Sequence, residues 1–285
     1  MTTVGVIGNG FVGNAIVQAM KKRTIAVNVF DIDPTKCFSS LRDAIESEIV
    51  FICVPAPTNL ESGETDLTYI TTIISQIPQN HMSPIILKST ILPGSCREIS
   101  RFRPDLDIVF SPEFLTERTA VMDFEHPSRI ILGYKTKPLH HTKDEVFIFF
   151  KKCFPDTYLL CTSWEAAEFI KYFCNCFYAA KVSLMNEFFQ LSQKLDLDWG
   201  DCVEGLLTSQ WVNRMHTQVP GPDGDFGFGG KCFPKDILAF ITFSKNNGIN
   251  PLMLSSAWEK NIEVRTNKNW KHIEGAFTKG KNNGN

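Results

Sequence analysis

A short glycine-rich stretch, residues 227–236, combines residue types that could carry covalent chemistry. Its glycines let the backbone approach a ligand closely and adopt positive φ angles, and a thiol, Cys232, follows them. Pro234 is typical of the first turn of a helix, so we expect Cys232 at a helix N-terminus, where the helix dipole favours the thiolate. Asp236 lies one helical turn beyond the thiol. The stretch predicts a nucleophile; the alternative is a buried structural cysteine beside a glycine turn.

Length and composition indicate a globular protein of two domains. The 285 residues are 43% hydrophobic and 21% charged, which allows a sizeable core. A net charge of -2 gives no electrostatic attraction to nucleic acid or to an anionic membrane, so we expect neither partner. The N-terminal residues lack a basic stretch and a cleavage signal, and no apolar run approaches membrane-spanning length, which indicates a cytoplasmic protein.

The nine cysteines are an odd number and are scattered through apolar segments, which favours reduced thiols over a disulfide framework. Cys174 and Cys176 could suggest a metal site. Two residues apart on a helix they would face different sides, and no second cysteine or histidine pair is suitably placed. We therefore expect no metal ion.

A second glycine pattern lies near the N-terminus, where Gly8, Gly10 and Gly13 separate a strand-like run from a helix-like one. In a dinucleotide-binding turn the first glycine makes the turn, the second admits the pyrophosphate, and the third lets the helix pack on the strand. Asp31 ends the next strand-like run, 18 residues past Gly13 (31 minus 13). A carboxylate there accepts from the ribose 2′-OH and repels a 2′-phosphate, which predicts NAD rather than NADP. Alternatively, Asp31 only caps a turn with Asp33.

Strand-like and helix-like segments alternate along the first half of the chain. The predicted strands cover residues 4–7, 26–30, 49–54, 84–87, 108–110 and 129–132. This alternation predicts an α/β fold with a Rossmann-like, doubly wound parallel sheet, in which ligands bind beyond the carboxyl ends of the strands. Turn, hydroxyl and carboxylate residues follow three of these strands: Pro55, Thr58, Ser89, Thr90, Glu113 and Glu117. Each could separately be an ordinary turn residue or helix cap.

From residue 164 to about 195 the sequence changes to one long helical pattern without glycine or proline. We expect this helix to link an NAD-binding domain, residues 1–162, to an all-helical central domain, residues 163–270, followed by a flexible tail, residues 271–285. Six apolar residues would form a broad buried stripe, and burying it fully calls for a second copy of the chain, hence a homodimer. They are Phe169, Ile170, Phe173, Phe177, Leu184 and Phe188.

Glu168, Lys171 and Asn175 lie three and four residues apart on this predicted helix, so their side chains share a face. An exposed Glu–Lys pair of this kind is usually a solvated surface feature, and spacing alone predicts no more than that. Further helices are predicted over residues 201–207, 234–246 and 251–267.

Taken together, the motifs resemble the UDP-glucose and GDP-mannose dehydrogenase family over about residues 1–267. Seven segments carry the resemblance in one order: 8–13, 54–58, 88–90, 111–115, 165–175, 186–187 and 227–236. The resemblance implies a four-electron, NAD-dependent oxidation of the C6 alcohol of a sugar nucleotide, most readily UDP-glucose, to a carboxylate. It also implies NAD contacts at Gly8, Gly10, Phe11, Val12, Gly13, Asp31, Pro55, Thr58, Thr90 and Glu113.

The family chemistry implies a role for each group near the thiol. The Cys232 thiolate would add to the C6 aldehyde, a second hydride transfer would give a thioester, and water would hydrolyse it. Lys171 and Asn175 would donate to the C6 oxygen. The water would be positioned or deprotonated by Glu117, Thr90 and Asp236. Substrate contacts are implied at Phe114, Leu115, Lys171, Asn175, Arg214, Phe228 and Gly229, with Arg214 reaching the substrate of a neighbouring subunit.

The sequence departs from the family pattern in two places. Lys231, next to the thiol, stands where the family often has a smaller or aromatic residue. The family's C-terminal domain, which grips the nucleotide of the substrate, has no counterpart in these 285 residues. The chain is therefore expected to be a fragment, to work with a separate chain, or to be a shortened enzyme.

Two other functions stay open. A two-electron dehydrogenase similar to the β-hydroxyacid dehydrogenases would also pair a Rossmann domain with a helix that carries Lys171 and Asn175, and it would need no thiol. A non-catalytic NAD-binding partner would bind the cofactor without turning over a sugar nucleotide.

Overall fold

The computed structural model describes residues 2–136 and 144–278. The chain divides into two compact units: Met1–Ala56 with Leu67–Lys171, and Pro57–Asp66 with Tyr172–Asn285. The division therefore falls inside the long helix at Lys171, whereas the sequence placed it at residue 162. Trp164 explains the difference, because its buried indole N–H donates to the Ile108 carbonyl oxygen at 2.9 Å. This bond ties the first turns of the helix to the first unit.

The described residues form nine strands, ten α-helices and two 3-10 turns, Glu117–Thr119 and Asn269–His272. The strands are β1 (Thr3–Ile7), β2 (Ala26–Phe30), β3 (Ile49–Ile52), β4 (Thr58–Asn59), β5 (Ile85–Leu87), β6 (Ile108–Phe110), β7 (Arg129–Tyr134), β8 (Tyr158–Ser163) and β9 (Phe277–Thr278). The helices are α1 (Phe11–Lys22), α2 (Leu41–Ile45), α3 (Thr68–Gln76), α4 (Ser95–Phe102), α5 (Ala120–Glu125), α6 (Glu145–Cys153), α7 (Trp164–Lys194), α8 (Trp199–Thr208), α9 (Phe233–Asn246) and α10 (Leu252–Val264).

Seven strands of the first unit form one sheet in the order β2-β1-β3-β5-β6-β7-β8. Neighbouring strands are parallel except β6 and β7, which pair antiparallel at Phe110 and Gly133. The predicted α/β fold with a Rossmann-like parallel sheet is confirmed. Strand β8 was not predicted, because its residues are mostly half-buried and show neither a continuous apolar run nor strict alternation.

The sheet buries apolar side chains on both faces. Phe51 of β3 belongs to the cluster packed by α1, α5 and α6, whereas Val50 and Ile52 belong to the cluster packed by α3, α4 and the start of α7. Successive side chains of a strand point to opposite faces, so a strand buried on both sides reads as an unbroken apolar run. The helices on the two faces therefore make the sheet doubly wound.

Strand register brings several predicted site residues to one edge of the sheet. Ile7 pairs with Ile52, Ile52 with Leu87, and Leu87 with Phe110, so the four parallel strands end level. The segments that follow them carry the glycine turn, Thr90 and Glu113. This is the edge at which doubly wound sheets bind ligands.

The second unit consists of the remainder of α7 with α8, α9 and α10, and it also contains a short ladder. Strand β4 pairs with β9 through Thr58 and Phe277, both outside the range 163–270 that was predicted to be helical. Between residues 164 and 270 the regular elements are α7 to α10 and the start of a 3-10 turn. Of the tail expected over residues 271–285, residues 271–278 are held by this ladder and by the burial of Ala276. Residues 279–285 lie outside the described part of the chain.

Helix α10 ends at Val264, three residues before the predicted end at 267. The buried Arg265 explains the early end, because its guanidinium turns back to donate to Asp223 Oδ2 at 2.6 Å and to the Phe226 carbonyl oxygen at 3.3 Å. With its side chain held in this way, Arg265 does not continue the helix.

The apolar stripe predicted on α7 is largely uncovered within one chain. Phe173, Phe177 and Leu184 are 57%, 60% and 53% exposed, and Phe169 and Phe188 are similar. Only Ile170 of the six is half-buried and packs on the core. Within residues 2–136 and 144–278, no helix combines the length and apolar composition that crossing a membrane requires.

Candidate active site

The glycine turn of the first unit has room for a phosphate group at its centre. A Cβ on Gly13 would lie 2.0 Å from the Gly8 carbonyl oxygen, so helix and strand approach too closely for any side chain there. A Cβ on Gly10 would meet nothing within 4 Å. Gly10 precedes α1, and the first turn of α1 has neither a side-chain cap nor an acidic residue. No side chain therefore competes with an anion for the N–H groups at this helix end.

Asp31 has the turn-capping role that the sequence left open, whereas its contact with the NAD ribose stays a prediction. Its Oδ2 accepts the Asn9 N–H at 2.5 Å and its Oδ1 accepts the Asp33 N–H at 2.9 Å, so it caps both turns. It also stands at the end of β2, where the fingerprint needs a carboxylate. The Oδ1 atom of Asn9 is buried and has no hydrogen-bond partner among the described residues. The edge fits NAD, because its open turn, its carboxylate and an unsatisfied polar atom lie together.

A buried ion pair lies beside this edge, between Lys171 and Glu113. The Lys171 Nζ atom donates to Glu113 Oε1 at 2.8 Å and to the Glu113 carbonyl oxygen at 2.7 Å, and both side chains are at most 5% exposed. The second carboxylate oxygen accepts the Leu115 N–H at 2.7 Å. The Phe114 ring lies 5.5 Å from the ammonium. The solvated-surface interpretation of Lys171 is therefore wrong.

Glu168 is not the partner of Lys171 on the helix surface. It is fully buried, and its two oxygens accept the N–H groups of Gly94 at 2.6 Å and Cys96 at 2.8 Å, at the start of α4. Burial raises the pKa of this carboxyl, and the two N–H groups oppose that rise. Glu168 holds α4 against α7, while Lys171 is committed to Glu113.

Lys88 is a second buried lysine at the same edge, and no role was predicted for it. Its ammonium donates to Ser111 Oγ at 3.2 Å and to the Pro112 carbonyl oxygen at 3.3 Å, and the residue is 5% exposed. Burial lowers its pKa to about 8. With Lys171 it holds the segment from Ser111 to Leu115, which includes the substrate contacts Phe114 and Leu115 implied by the family resemblance.

The other predicted residues of the sheet edge vary in exposure. Thr90 is half-buried, whereas Glu117 and Pro55 are exposed. Thr58 belongs to the second unit, where its backbone is in the ladder and its side chain is fully buried. Its hydroxyl has no hydrogen-bond partner within the described residues. A contact between Thr58 and NAD stays a prediction.

In the second unit, Cys232 occupies the N-cap position of α9 and Pro234 lies in the first turn, as predicted. Asp236, one turn on, is 1% exposed and accepts from Asn175 Nδ2 at 2.6 Å and from Lys235 Nζ at 2.5 Å. The Asp236 carboxylate therefore lies near the turn that carries the thiol, but it already accepts hydrogen bonds from two donors. Lys235 was missed, because a lysine beside an aspartate usually reads as a surface residue.

The remaining predicted substrate contacts differ in accessibility. The Phe228 side chain is buried, with its ring 6.1 Å from that of Phe233 and 6.3 Å from that of Trp258, so only its backbone can face a ligand. Gly229 is half-buried. Arg214 is exposed and pairs with Glu204 at 2.8 Å, so within one chain it faces a carboxylate.

Two models of one protein family match this chain. The NAD binding domain of the UDP-glucose/GDP-mannose dehydrogenase family matches residues 36–151, and the central domain of the same family matches residues 165–263. The chain belongs to the UDP-glucose/GDP-mannose dehydrogenase family. Its cofactor is NAD, as the sequence predicted. The glycine turn lies before the matched residues, so its assignment rests on the geometry above.

Individual relatives agree with the family. UDP-glucose 6-dehydrogenase of Rickettsia bellii is 34% identical over 223 residues, which cover 76% of this chain and 50% of that protein. The chain thus spans about half the length of the curated relatives it matches. A UDP-glucose dehydrogenase from Pyrobaculum islandicum superposes with a TM-score of 0.78 and 24% identity, over 92% of this chain and 68% of that one.

A third likeness reaches outside the family. The 3-hydroxyisobutyrate dehydrogenase of Mycobacterium tuberculosis superposes with a TM-score of 0.68 and 19% identity, over 92% of this chain and 93% of that one. At this identity the likeness is one of fold.

Proposed function

We propose that this chain oxidises the C6 alcohol of a sugar nucleotide, with UDP-glucose as the first candidate, to the uronate in two NAD-dependent steps. The observation that carries the proposal is the helix N-terminus at Cys232, whose next turn buries Asp236 against Asn175. A two-electron oxidation needs no such thiol. A sulfur nucleophile explains how an aldehyde stays bound until it is oxidised again.

When bound, NAD would accept one hydride in each oxidation. In the first step the C6 hydroxyl loses its proton to solvent as the hydride leaves, and an aldehyde forms. Lys171 would stabilise the negative charge that develops on the C6 oxygen, because Glu113 and burial hold its ammonium in one position. Asn175 lies one helical turn along α7 and would supply a second, neutral donor.

The second oxidation would use the thiol. The Cys232 thiolate adds to the aldehyde carbon, a C–S bond forms, and the oxygen takes a proton to give a thiohemiacetal. Loss of the C6 hydride and of the hydroxyl proton leaves a thioester. Water then adds to the carbonyl carbon, the C–S bond breaks, and the thiolate and a carboxylate are released.

The contacts of each group indicate whether it could position or deprotonate the water that hydrolyses the thioester. Asp236 already accepts from Asn175 and Lys235, so it is suited to orient Asn175 rather than to take a proton. Thr90 and the exposed Glu117 belong to the first unit and would position or deprotonate the water.

The test is the yield of NADH per mole of UDP-glucose consumed by the purified chain with excess NAD, in wild type and in Cys232→Ser. The wild type should give about two NADH with uronate, and Cys232→Ser should lose uronate formation by about a thousandfold or more. Cys202→Ser, an exposed thiol of the same unit, is the matched control. Uronate from Cys232→Ser at the wild-type rate would refute the proposal.

Two other outcomes of that test would select the alternatives. One NADH per substrate in both proteins would indicate a two-electron dehydrogenase, consistent with the shared fold of the 3-hydroxyisobutyrate enzyme. Binding of NAD with no turnover of UDP-glucose or GDP-mannose would indicate a non-catalytic partner.

We also propose that the chain forms a homodimer through α7 and works in the cytoplasm. The exposed faces of Phe173, Phe177 and Leu184 would be covered by a second copy. None of the nine cysteines forms a disulfide within the described residues, which suits a reducing compartment. Sedimentation should give twice the chain mass. A monomer at micromolar concentration would contradict the dimer.

A further inference from the structure

Three asparagine side chains hold the backbone that leads to Cys232. The N–H of Gly227 donates to Asn186 Oδ1 at 3.0 Å, and the N–H of Gly230 donates to Asn269 Oδ1 at 3.1 Å. Between them, the N–H of Phe228 donates to Asn261 Oδ1 at 2.6 Å. A segment outside regular structure usually gives such groups to water, so three carboxamide acceptors in four residues indicate a built support.

Asn261 differs from the other two because it binds both polar groups of one residue. Its Nδ2 also donates to the Phe228 carbonyl oxygen at 3.0 Å, and the residue is 0% exposed. A Cβ on Gly227 would lie 2.3 Å from the Asn261 carboxamide oxygen, so only glycine allows this approach. At φ +63°, Gly227 is also in the left-handed region.

The Phe228 ring extends the same attachment. It packs against Trp258, which lies on α10 three residues before Asn261, and against Phe233 in the first turn of α9. Helix α10 therefore contacts both the backbone and the ring of Phe228. Because Cys232 is four residues after Phe228 and occupies the N-cap position of α9, a shift of Phe228 would move the thiol.

We propose that Asn261 is a positioning residue for the Cys232 thiol, acting through its two hydrogen bonds to the Phe228 backbone. This inference rests on the proposed function of Cys232 as the nucleophile. The carboxamide suits the role, because it matches an N–H and a carbonyl group at once and carries no charge that burial would penalise. No other side-chain type of this size offers both groups in one plane.

The test compares Asn261→Ala with Ser183→Ala. Ser183 is the matched control, because its buried hydroxyl donates to the Ala257 carbonyl oxygen at 2.6 Å and so joins α7 to α10 one turn before Asn261, without contacting the glycine segment. Amide hydrogen exchange of residues 226–233 should become about tenfold faster in Asn261→Ala and stay unchanged in Ser183→Ala. Alkylation of Cys232 by iodoacetamide should change about threefold or more in Asn261→Ala, with Cys37 as internal reference.

A third readout links the geometry to the reaction. In Asn261→Ala the NADH yield should fall from about two toward about one per UDP-glucose, because the thiol-dependent second oxidation is slowed more than the first. The aldehyde left by the first oxidation should then be trapped by hydroxylamine. Faster exchange with an unchanged alkylation rate and an unchanged NADH yield would show that Asn261 is only structural, and would overturn the proposal. Changes of the same size in Ser183→Ala, in exchange, alkylation and NADH yield, would also overturn it.

Failure of the proposed function is distinguishable from failure of this inference. If wild type turns over no sugar nucleotide, the proposed reaction fails, while exchange and alkylation still decide whether Asn261 positions the thiol.

Discussion

The two units hold their functional groups by different physical means. In the first, a buried ion pair joins Lys171 to Glu113, and a second buried lysine, Lys88, binds hydroxyl and carbonyl oxygens nearby. In the second, neutral carboxamides such as Asn261 and Asn186 hold the backbone that leads to the thiol. The second unit also buries a charged pair, Lys235 with Asp236, so the comparison is between the buried charges of the first unit and the neutral carboxamides that hold residues 227–230.

The difference has an energetic consequence. Burying a charge is costly unless it is paired, so removing one partner leaves an uncompensated charge. Removing a neutral partner leaves an unsatisfied N–H, at a smaller cost of about 1–3 kcal/mol. The buried charges of the first unit should therefore respond to single substitutions more strongly than the carboxamides that hold residues 227–230, and Lys88 should add a dependence on pH that those carboxamides lack.

Lys171→Met should produce the largest effect. It leaves the Glu113 carboxylate buried and unpaired, so the free energy of unfolding should fall by about 3–5 kcal/mol, and turnover should fall about a hundredfold or more. Lys171→Met with Glu113→Gln should recover most of the stability but not the activity. Chemical denaturation and initial rates measure both.

The control for this prediction is a pair that lies near the surface. Arg97 and Glu165 are 50% and 34% exposed, so Arg97→Met should lower the free energy of unfolding much less than Lys171→Met does. If Lys171→Met cost no more than Arg97→Met, the expected difference between a buried and an exposed ion pair would be refuted.

Lys88→Met tests the pH dependence. Because the pKa of Lys88 is lowered to about 8 in the folded protein, the unfolded chain binds more protons between pH 8 and about 10.5, and the Lys88 contribution to stability rises with pH across that window. The unfolding free energy of wild type minus that of Lys88→Met should increase by about 1 kcal/mol per pH unit from pH 8 to 10. A flat difference would show that Lys88 titrates normally.

Asn186→Ala should have the smallest effect on the free energy of unfolding, and this effect should not change with pH. It leaves the Gly227 N–H without its acceptor, so the free energy of unfolding should fall by about 1–3 kcal/mol at every pH between 6 and 10. The measurement is denaturation at several pH values. A slope with pH would mean that a titratable group also holds this segment.

The motif residues could be predicted because their chemistry is local. The glycine turn, the helix N-terminus at Cys232 and the two-sided burial of β3 each follow from a short run of residue types. The contacts between distant residues could not be predicted. Asn261 is 33 residues from Phe228 and Glu113 is 58 from Lys171, and periodicity shows which face of a helix is polar without showing what that face will meet.

Several misreadings share this cause. Spacing paired Glu168 with Lys171, whereas the fold gives Glu168 the N-terminus of α4 and gives Lys171 a carboxylate from another segment. A buried lysine next to an aspartate, such as Lys235, looks like a surface residue until α9 is packed. Strand β8 and the ladder at Thr58 are too polar or too short for a pattern to detect.

The central claim is that Cys232 carries the sugar as a thioester between the two oxidations. It is tested most directly by quenching the protein with acid during turnover of UDP-glucose and measuring the mass of the peptide that contains Cys232. The account predicts a covalent adduct of the uronyl group on that cysteine, absent without NAD and absent in Cys232→Ser. Sustained formation of uronate with Cys232 unmodified at every time point would contradict it.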